Sequence, residues 1–207
     1  MLSTIPRGFV FPGKKVFFTS DTHFFHGRVI AHVNRPFSSM DEMNEKIIRN
    51  WNKVVPKDGI VFHLGDFGMA KEDELGAILD QLKGTIYLVA GNHDEDILGK
   101  AIAKRFSGIE HEMIITVSNQ KIVLNHFPLL CFGGRHTSAW QLFGHIHTHA
   151  AGSRIISEKQ MAMLEPNQYD VGVDNNNFTP ISFERVKKII ERQQETGERF
   201  KCWENTI

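Results

Sequence analysis

Ile60-Val61-Phe62-His63-Leu64-Gly65-Asp66-Phe67-Gly68 is an apolar run too short for a helix that ends in Gly-Asp-Phe-Gly. It reads as a buried strand that delivers one carboxylate, Asp66, from its C-terminal end into a loop with little side-chain bulk. A carboxylate has two oxygens and can hold two cations at once, and the glycines on either side let ions and substrate approach the backbone. Asp66 is therefore expected to bridge two metal ions. His63, inside the strand, reads as a hydrogen-bonded core residue.

Toward the N-terminus, Val16 to Ser20 reads as a second strand, β-branched and aromatic, that ends at Asp21-Thr22-His23. Residues 1 to 14, with two prolines and two glycines, read as an arm or edge segment. Phe24 to Val33 suggests a short helix. Met40 to Val54 suggests a longer one, with Met43, Ile47, Ile48 and Trp51 on one face and Ser38 or Ser39 near its cap. After the central strand, Lys71 to Lys83 reads as a helix stopped by Gly84, and Thr85 to Ala90 as a third strand running into Gly91-Asn92-His93-Asp94. The alternation implies an α/β sheet with ligands gathered at the carboxyl ends of its strands. The second half is richer in strands. His111 to Val117 and Lys121 to Asn125 form a hairpin around Ser118-Asn119-Gln120, ending at His126. Trp140 to Phe143 is a strand ending at Gly144-His145-Ile146-His147. Strands at Ser153 to Ile156 and Tyr169 to Val173 precede an amphipathic helix over Ser182 to Gln194. With no repeat or linker, residues 1–207 are expected to form a single domain.

The chain has 24 basic and 24 acidic residues, so no global field concentrates nucleic acid or an anionic membrane. Nucleic acid is a disfavoured partner on this count. No apolar run approaches a membrane span, and two widely spaced cysteines, Cys131 and Cys202, fit a reducing compartment. A cytoplasmic protein with no membrane partner is expected. The unusual feature is eleven histidines, because histidine is the commonest metal ligand and a frequent general acid or base.

Asp21, His23, Asp66, Asn92, His126, His145 and His147 each follow an apolar strand-like run. Strand ends of one sheet converge in space, so these side chains can meet around a metal pair. Asp-x-His and His-x-His are period-two spacings, which put both side chains on one side of an extended segment. Oxygen and imidazole ligands without thiolate disfavour a structural zinc site and suit manganese, iron or zinc in a hydrolytic one. Two ions roughly 3.5 to 4 Å apart can generate a hydroxide nucleophile and stabilise both oxygens of an in-line displacement, which is the chemistry of phosphoester hydrolysis.

Asp21-Thr22-His23, Gly65-Asp66, Gly91-Asn92-His93-Asp94, Asn125-His126 and Gly144-His145-Ile146-His147 occur in the order that marks the calcineurin-like metallophosphoesterases. The chain resembles this superfamily over about residues 16 to 150, and most of all its small bacterial and phage-type members. The resemblance implies an α/β fold, a four-layer sandwich of two mixed β-sheets flanked by helices. It implies that Asp21, His23 and His147 hold one divalent ion and Asn92, His126 and His145 a second, with Asp66 between them. Manganese is the favoured metal, with iron, zinc or nickel as alternatives. His93 matches the family's catalytic histidine, which protonates the leaving alkoxide. A phosphodiester is the favoured substrate over a small phosphomonoester. Larger relatives often carry an aspartate shortly after the bridging one to orient the catalytic histidine. Here that region reads Phe67-Gly68-Met69, so either His93 lacks that partner or Asp94 plays some other supporting role. His26 and Arg35 are candidates for binding the substrate phosphate, the arginine by a bidentate clamp. Asp174 and Asn175 to Asn177 read as a turn, and His149 as a solvated loop residue.

Overall fold

The computed structural model describes residues 10–148 and 158–197. Strands β2 (Val16–Thr19) and β3 (Ile60–His63) lie parallel, and β4 (Thr85–Val89) and β5 (Gly108–Glu110) extend the same sheet beyond β3. The two-residue β10 (Ile181–Ser182) adds antiparallel to the outside of β2. Both faces of this sheet are covered, which is why its strands read as continuous apolar runs rather than alternating ones. Val16, Phe18 and Phe62 point to one side and Phe17 and Val61 to the other, and all five are buried.

The second sheet runs β1 (Val10–Phe11), β6 (Glu112–Val117), β7 (Gln120–Asn125), β8 (Trp140–Phe143) and β9 (Gln168–Asp170), in that spatial order. Its β6–β7 pair is antiparallel and the others are parallel. The hairpin closes on two residues, Ser118 and Asn119, with φ of 46° and 69°. Positive φ at both positions matches the twist of the flanking strands.

A core fills the space between the sheets, where Phe18, Phe62 and Val89 meet Ile115, Ile122, Leu124 and Leu142. Helix α5 (Phe183–Thr196) adds Phe183, Val186 and Ile190 to it. A second core lies on the outer face of the first sheet, under α1 (Arg28–His32), α2 (Met40–Val54) and α3 (Glu72–Gln81). Helix α2 has the limits expected from sequence. It starts where Ser39 Oγ accepts from the Glu42 N–H at 3.1 Å, and it buries Met43, Ile47 and Trp51. On the outer face of the second sheet, Met161 of α4 (Glu158–Met161) and Leu164 pack on Phe143 and Ile146. The result is the implied α/β sandwich of two mixed sheets flanked by helices.

Three local expectations change. The helix at Phe24 to Val33 is confined to Arg28–His32. Phe24 instead stays extended beside residues 67–69, its N–H on Phe67 O and its carbonyl accepting from Met69 N–H. The strand expected over Tyr169 to Val173 is β9, which stops at Asp170, although Val171 N–H still reaches Phe143 O at 2.8 Å. Strand β5 and the 3₁₀ segment Ala101–Arg105 were absent from the sequence reading, both being too short to show a period. The strand expected at Ser153 to Ile156, and His149, lie outside the described residues.

Candidate metal centre

Beyond their last residues, β2 and β3 stay hydrogen-bonded through their loops. Asp21 N–H donates to Gly65 O, His23 N–H to Asp66 O and Phe24 N–H to Phe67 O, each at 2.9 Å. This pairing sets Asp21 and His23 alongside Asp66. The side chains turn inward because the backbone turns left-handed at Asp21, His23, Asp66, His145 and His147, with φ between 46° and 70°. Such conformations are uncommon outside glycine and gather at functional sites. Two glycines make room. A Cβ on Gly144 would lie 2.0 Å from Ser20 Oγ and 2.4 Å from Asp21 Oδ2, and one on Gly91 would lie 2.4 Å from Asp66 Oδ1.

Among the described residues, two groups bring ligand atoms within 4.8 Å of one another: Asp21, His23 and His147, and Asp66, His126 and His145. Asp66 faces both groups. Its Oδ2 is 3.5 Å from His23 Nε2 and its Oδ1 is 3.6 Å from His126 Nε2. Three of the four rings, those of His126, His147 and His23, have a partner on the other nitrogen. His126 Nδ1 lies 2.7 Å from Leu64 O, so it carries the proton and leaves Nε2 as the lone pair, 3.1 Å from Asn92 Oδ1. His147 Nδ1 is 2.6 Å from Asp174 Oδ2, and its Nε2 is 3.9 Å from Asp21 Oδ1. His23 Nδ1 is 3.2 Å from His26 Nδ1. The carbonyl behind His126 and the carboxylate behind His147 are partners of the kind that hold metal-binding histidines in one tautomer.

Burial pushes the Asp21 and Asp66 carboxyls above their ordinary range, a penalty that a cation between them would relieve. Burial, and then the Arg35 guanidinium, hold His23 well below its usual pKa, and burial brings His145 down to about 4. Both imidazoles are neutral at pH 7 and offer lone pairs. Burial also opposes charge on His147, but Asp21 and Asp174 outweigh it and raise that pKa. Neutral imidazoles around desolvated carboxyls, with no thiolate, fit a pair of divalent cations.

The remaining candidates fall into two groups. His93 is half-buried beside the clusters, with its ring centroid 5.5 Å from that of His23 and its N–H 3.0 Å from Asp66 Oδ1. His26 sits 5.6 Å from it, ring to ring. Arg35, by contrast, lies under the site and does not face a substrate. Its side chain is fully buried, Nε and Nη2 donate to the two oxygens of Asp174 at 2.8 Å each, and Nη2 and Nη1 reach Asp21 O and Thr22 O at 2.6 and 3.2 Å. Every donor direction of the fork is used inside the protein, so the expected phosphate clamp is a buried brace. Asp94 is also a brace. Its Oδ2 accepts from Asp66 and Gly91 N–H at 2.8 Å each, and its Oδ1 accepts from Phe67 N–H at 2.9 Å. It therefore does not stand in for the aspartate that relatives carry near position 69, and Met69 itself is exposed. His63 is the core residue expected, with Nε2 2.9 Å from Thr22 Oγ1.

Asp174 is the residue that sequence reasoning undervalued. It was read as a turn residue, yet it joins His147 to Arg35. A signal was present, because Asp174 follows the strand-like stretch Tyr169 to Val173 much as Asp21 and Asp66 follow theirs, although Asp170 interrupts its apolar character.

Two nitrogen and oxygen clusters that face one carboxylate, where strands of both sheets of an α/β sandwich end, define a class of protein with a candidate cation site at its strand ends. The chain belongs to the calcineurin-like phosphoesterase family, whose model matches residues 14–192. The family implies a hydrolase acting on phosphoesters with divalent metal ions. The chain is 33% identical over 186 residues to an uncharacterized protein of Methanocaldococcus jannaschii, covering 86% of this chain and 93% of that one. It is 28% identical over 176 residues to the Gene 66 protein of Mycobacterium phage L5, covering 70% and 83%. The crystal structure of a protein of unknown function from Aquifex aeolicus superposes with a TM-score of 0.66 at 26% identity, covering 84% of this chain and 98% of that one. No helix among the described residues is long and apolar enough to cross a membrane.

Proposed function

We propose that this protein hydrolyses a small phosphodiester with two divalent cations, manganese by preference, held by Asp21, His23 and His147 on one side and Asn92, His126 and His145 on the other. The observation that carries the reading is the split of Asp66, whose two oxygens face histidines of different clusters. Cations there would supply the nucleophile at neutral pH and neutralise charge on the phosphoryl group. The chain's own residues do the rest. Asp66 bridges. His93 stands at the accessible side of the His23 cluster and donates a proton to the leaving oxygen, a task worth about 10²–10⁴ in rate. His26 fixes His23 through its Nδ1 and turns its other nitrogen to a phosphoryl oxygen. Arg35 and Asp174 hold the ligand loops and do not touch substrate.

The test is turnover of bis(p-nitrophenyl) phosphate against p-nitrophenyl phosphate by metal-stripped protein, with manganese, nickel, zinc or magnesium restored. Diester turnover that requires metal, falls about 10²-fold or more in His93→Ala at unchanged metal content, and is abolished in Asp66→Asn supports the reading. Two bound equivalents without turnover of either ester refute it.

A further inference from the structure

The loop that follows β7 carries an exposed aromatic ring against the metal centre, and the fold invests buried polar groups in holding it there. Phe127 is 42% exposed, with its ring centroid 4.9 Å from that of His126 and 4.7 Å from that of His145, both edge-on. Leu130, in the same loop, is 51% exposed. Single exposed apolar residues are ordinary. The support beneath this one is not. Gln141 on β8 is fully buried, and its amide spans the loop: Nε2 donates to Phe127 O at 2.9 Å, while Oε1 accepts from Leu129 N–H at 3.1 Å. Gln168 on β9, also buried, donates from Nε2 to Leu129 O at 2.9 Å and to Gln141 Oε1. Phe127 N–H donates to Asn125 Oδ1 at 2.9 Å. A buried amide left unpaired is costly, so these side chains fix the loop as firmly as a ladder of strand bonds. The backbone that carries the ring is held by four hydrogen bonds, which lessens the ordering that a ligand must impose on the loop.

We propose that the open face of Phe127 is a stacking platform for a flat aromatic group on the phosphoester substrate, the group being a nucleobase or an aryl arm. The proposal rests on the phosphoesterase reading above. The ring lies against two of the histidines assigned to the second cation, so an ester whose phosphorus sits between the clusters carries one arm over Phe127. The balanced charge of the chain favours a small molecule over a polymer, since polymer affinity rests on many phosphate contacts.

Phosphonates, which are not hydrolysed, separate binding from turnover. Methylphosphonate, cyclohexylphosphonate, phenylphosphonate and a thymidine phosphonate are titrated calorimetrically into manganese-loaded protein. The expected result is phenylphosphonate or the thymidine compound binding roughly tenfold tighter than the methyl compound, in keeping with aromatic stacking, with the cyclohexyl ring gaining less. Which of the two flat ligands binds tighter tells aryl from nucleobase. In Phe127→Ala the aromatic advantage collapses at least fivefold relative to methylphosphonate, and Phe127→Trp keeps it. Equal affinity for the methyl and aromatic ligands, or an equal loss for all four in Phe127→Ala, overturns the platform while leaving the phosphoesterase reading intact. Failure of all four to bind the manganese-loaded protein overturns both.

Discussion

Replacing Asp174 by asparagine should empty one cation site and leave the other. Asp174 accepts from Arg35 at both oxygens and from His147 Nδ1 at one, and its side chain is only 3% exposed. Asparagine keeps the shape but has one acceptor oxygen, so its amide must face a donor on Arg35 or His147. Two costs follow. The Arg35 guanidinium, whose side chain is 0% exposed, loses its counter-charge, and breaking a buried pair from one side costs about 3–5 kcal/mol of stability. His147 loses the acceptor that fixes its tautomer, and removal of such a partner weakens a metal site about 10–100-fold. Manganese titration of stripped protein should therefore change from two equivalents to one at low micromolar metal. A second variant separates fold from site. Arg35→Met with Asp174→Leu removes both charges together, so part of the stability in urea should return, less the cost of leaving Asp21 O and Thr22 O without their donor. The weak site should not recover, because His147 Nδ1 still lacks its acceptor. Two equivalents bound by Asp174→Asn with unchanged affinity would refute the reasoning.

Gly144→Ala places a methyl 2.4 Å from Asp21 Oδ2, so it should weaken the Asp21, His23 and His147 site about tenfold or more in the same titration. Unchanged affinity would mean that the Asp21 loop yields freely. Asp94→Asn replaces one of the two oxygens that share three backbone N–H groups, sets an amide against at least one of them, and should lower stability by about 1–3 kcal/mol in urea unfolding; an unchanged stability would rule out the bracing role. Burial holds His63 at about 3 in the folded protein, against 6.5 in the unfolded chain. Below pH 6.5 the unfolded chain takes up a proton that the folded one refuses, so this residue's contribution is complete above pH 6.5 and declines as pH falls toward 3. The slope is at most about 1.4 kcal/mol per pH unit, and His63→Gln should lessen the acid sensitivity of the metal-free protein by that amount; parallel stability profiles would refute it.

That Asp21, His23, Asp66, His126, His145 and His147 come together was legible because each follows an apolar strand, and strand ends converge whatever separates them in sequence. The brace beneath them was not. Arg35 and Asp174 lie 139 positions apart and meet only because residue 35 comes up under the Asp21 loop while residue 174 follows β9. An arginine beside a proline carries no sign of burial, and the charge pair becomes visible only in three dimensions. The helix expected at Phe24 failed for a related reason. Local apolar spacing favoured a helix, but pairing with residues 67–69 holds the chain extended through Phe24. The support for Phe127 was hidden likewise, since a glutamine within a strand reads as an exposed position until the strand is found buried on both faces.

The left-handed backbone at five of the proposed ligands sets folding and chemistry against each other. Each such residue costs of order 1 kcal/mol relative to a glycine, which adopts the same φ without strain. Exchanging any of Asp21, His23, Asp66, His145 and His147 for glycine would relieve that strain, at the loss of the backbone hydrogen bonds that Asp21 and Asp66 accept. These loops thus hold strain that glycine would remove, the pattern expected where the backbone is set by what its side chains must reach.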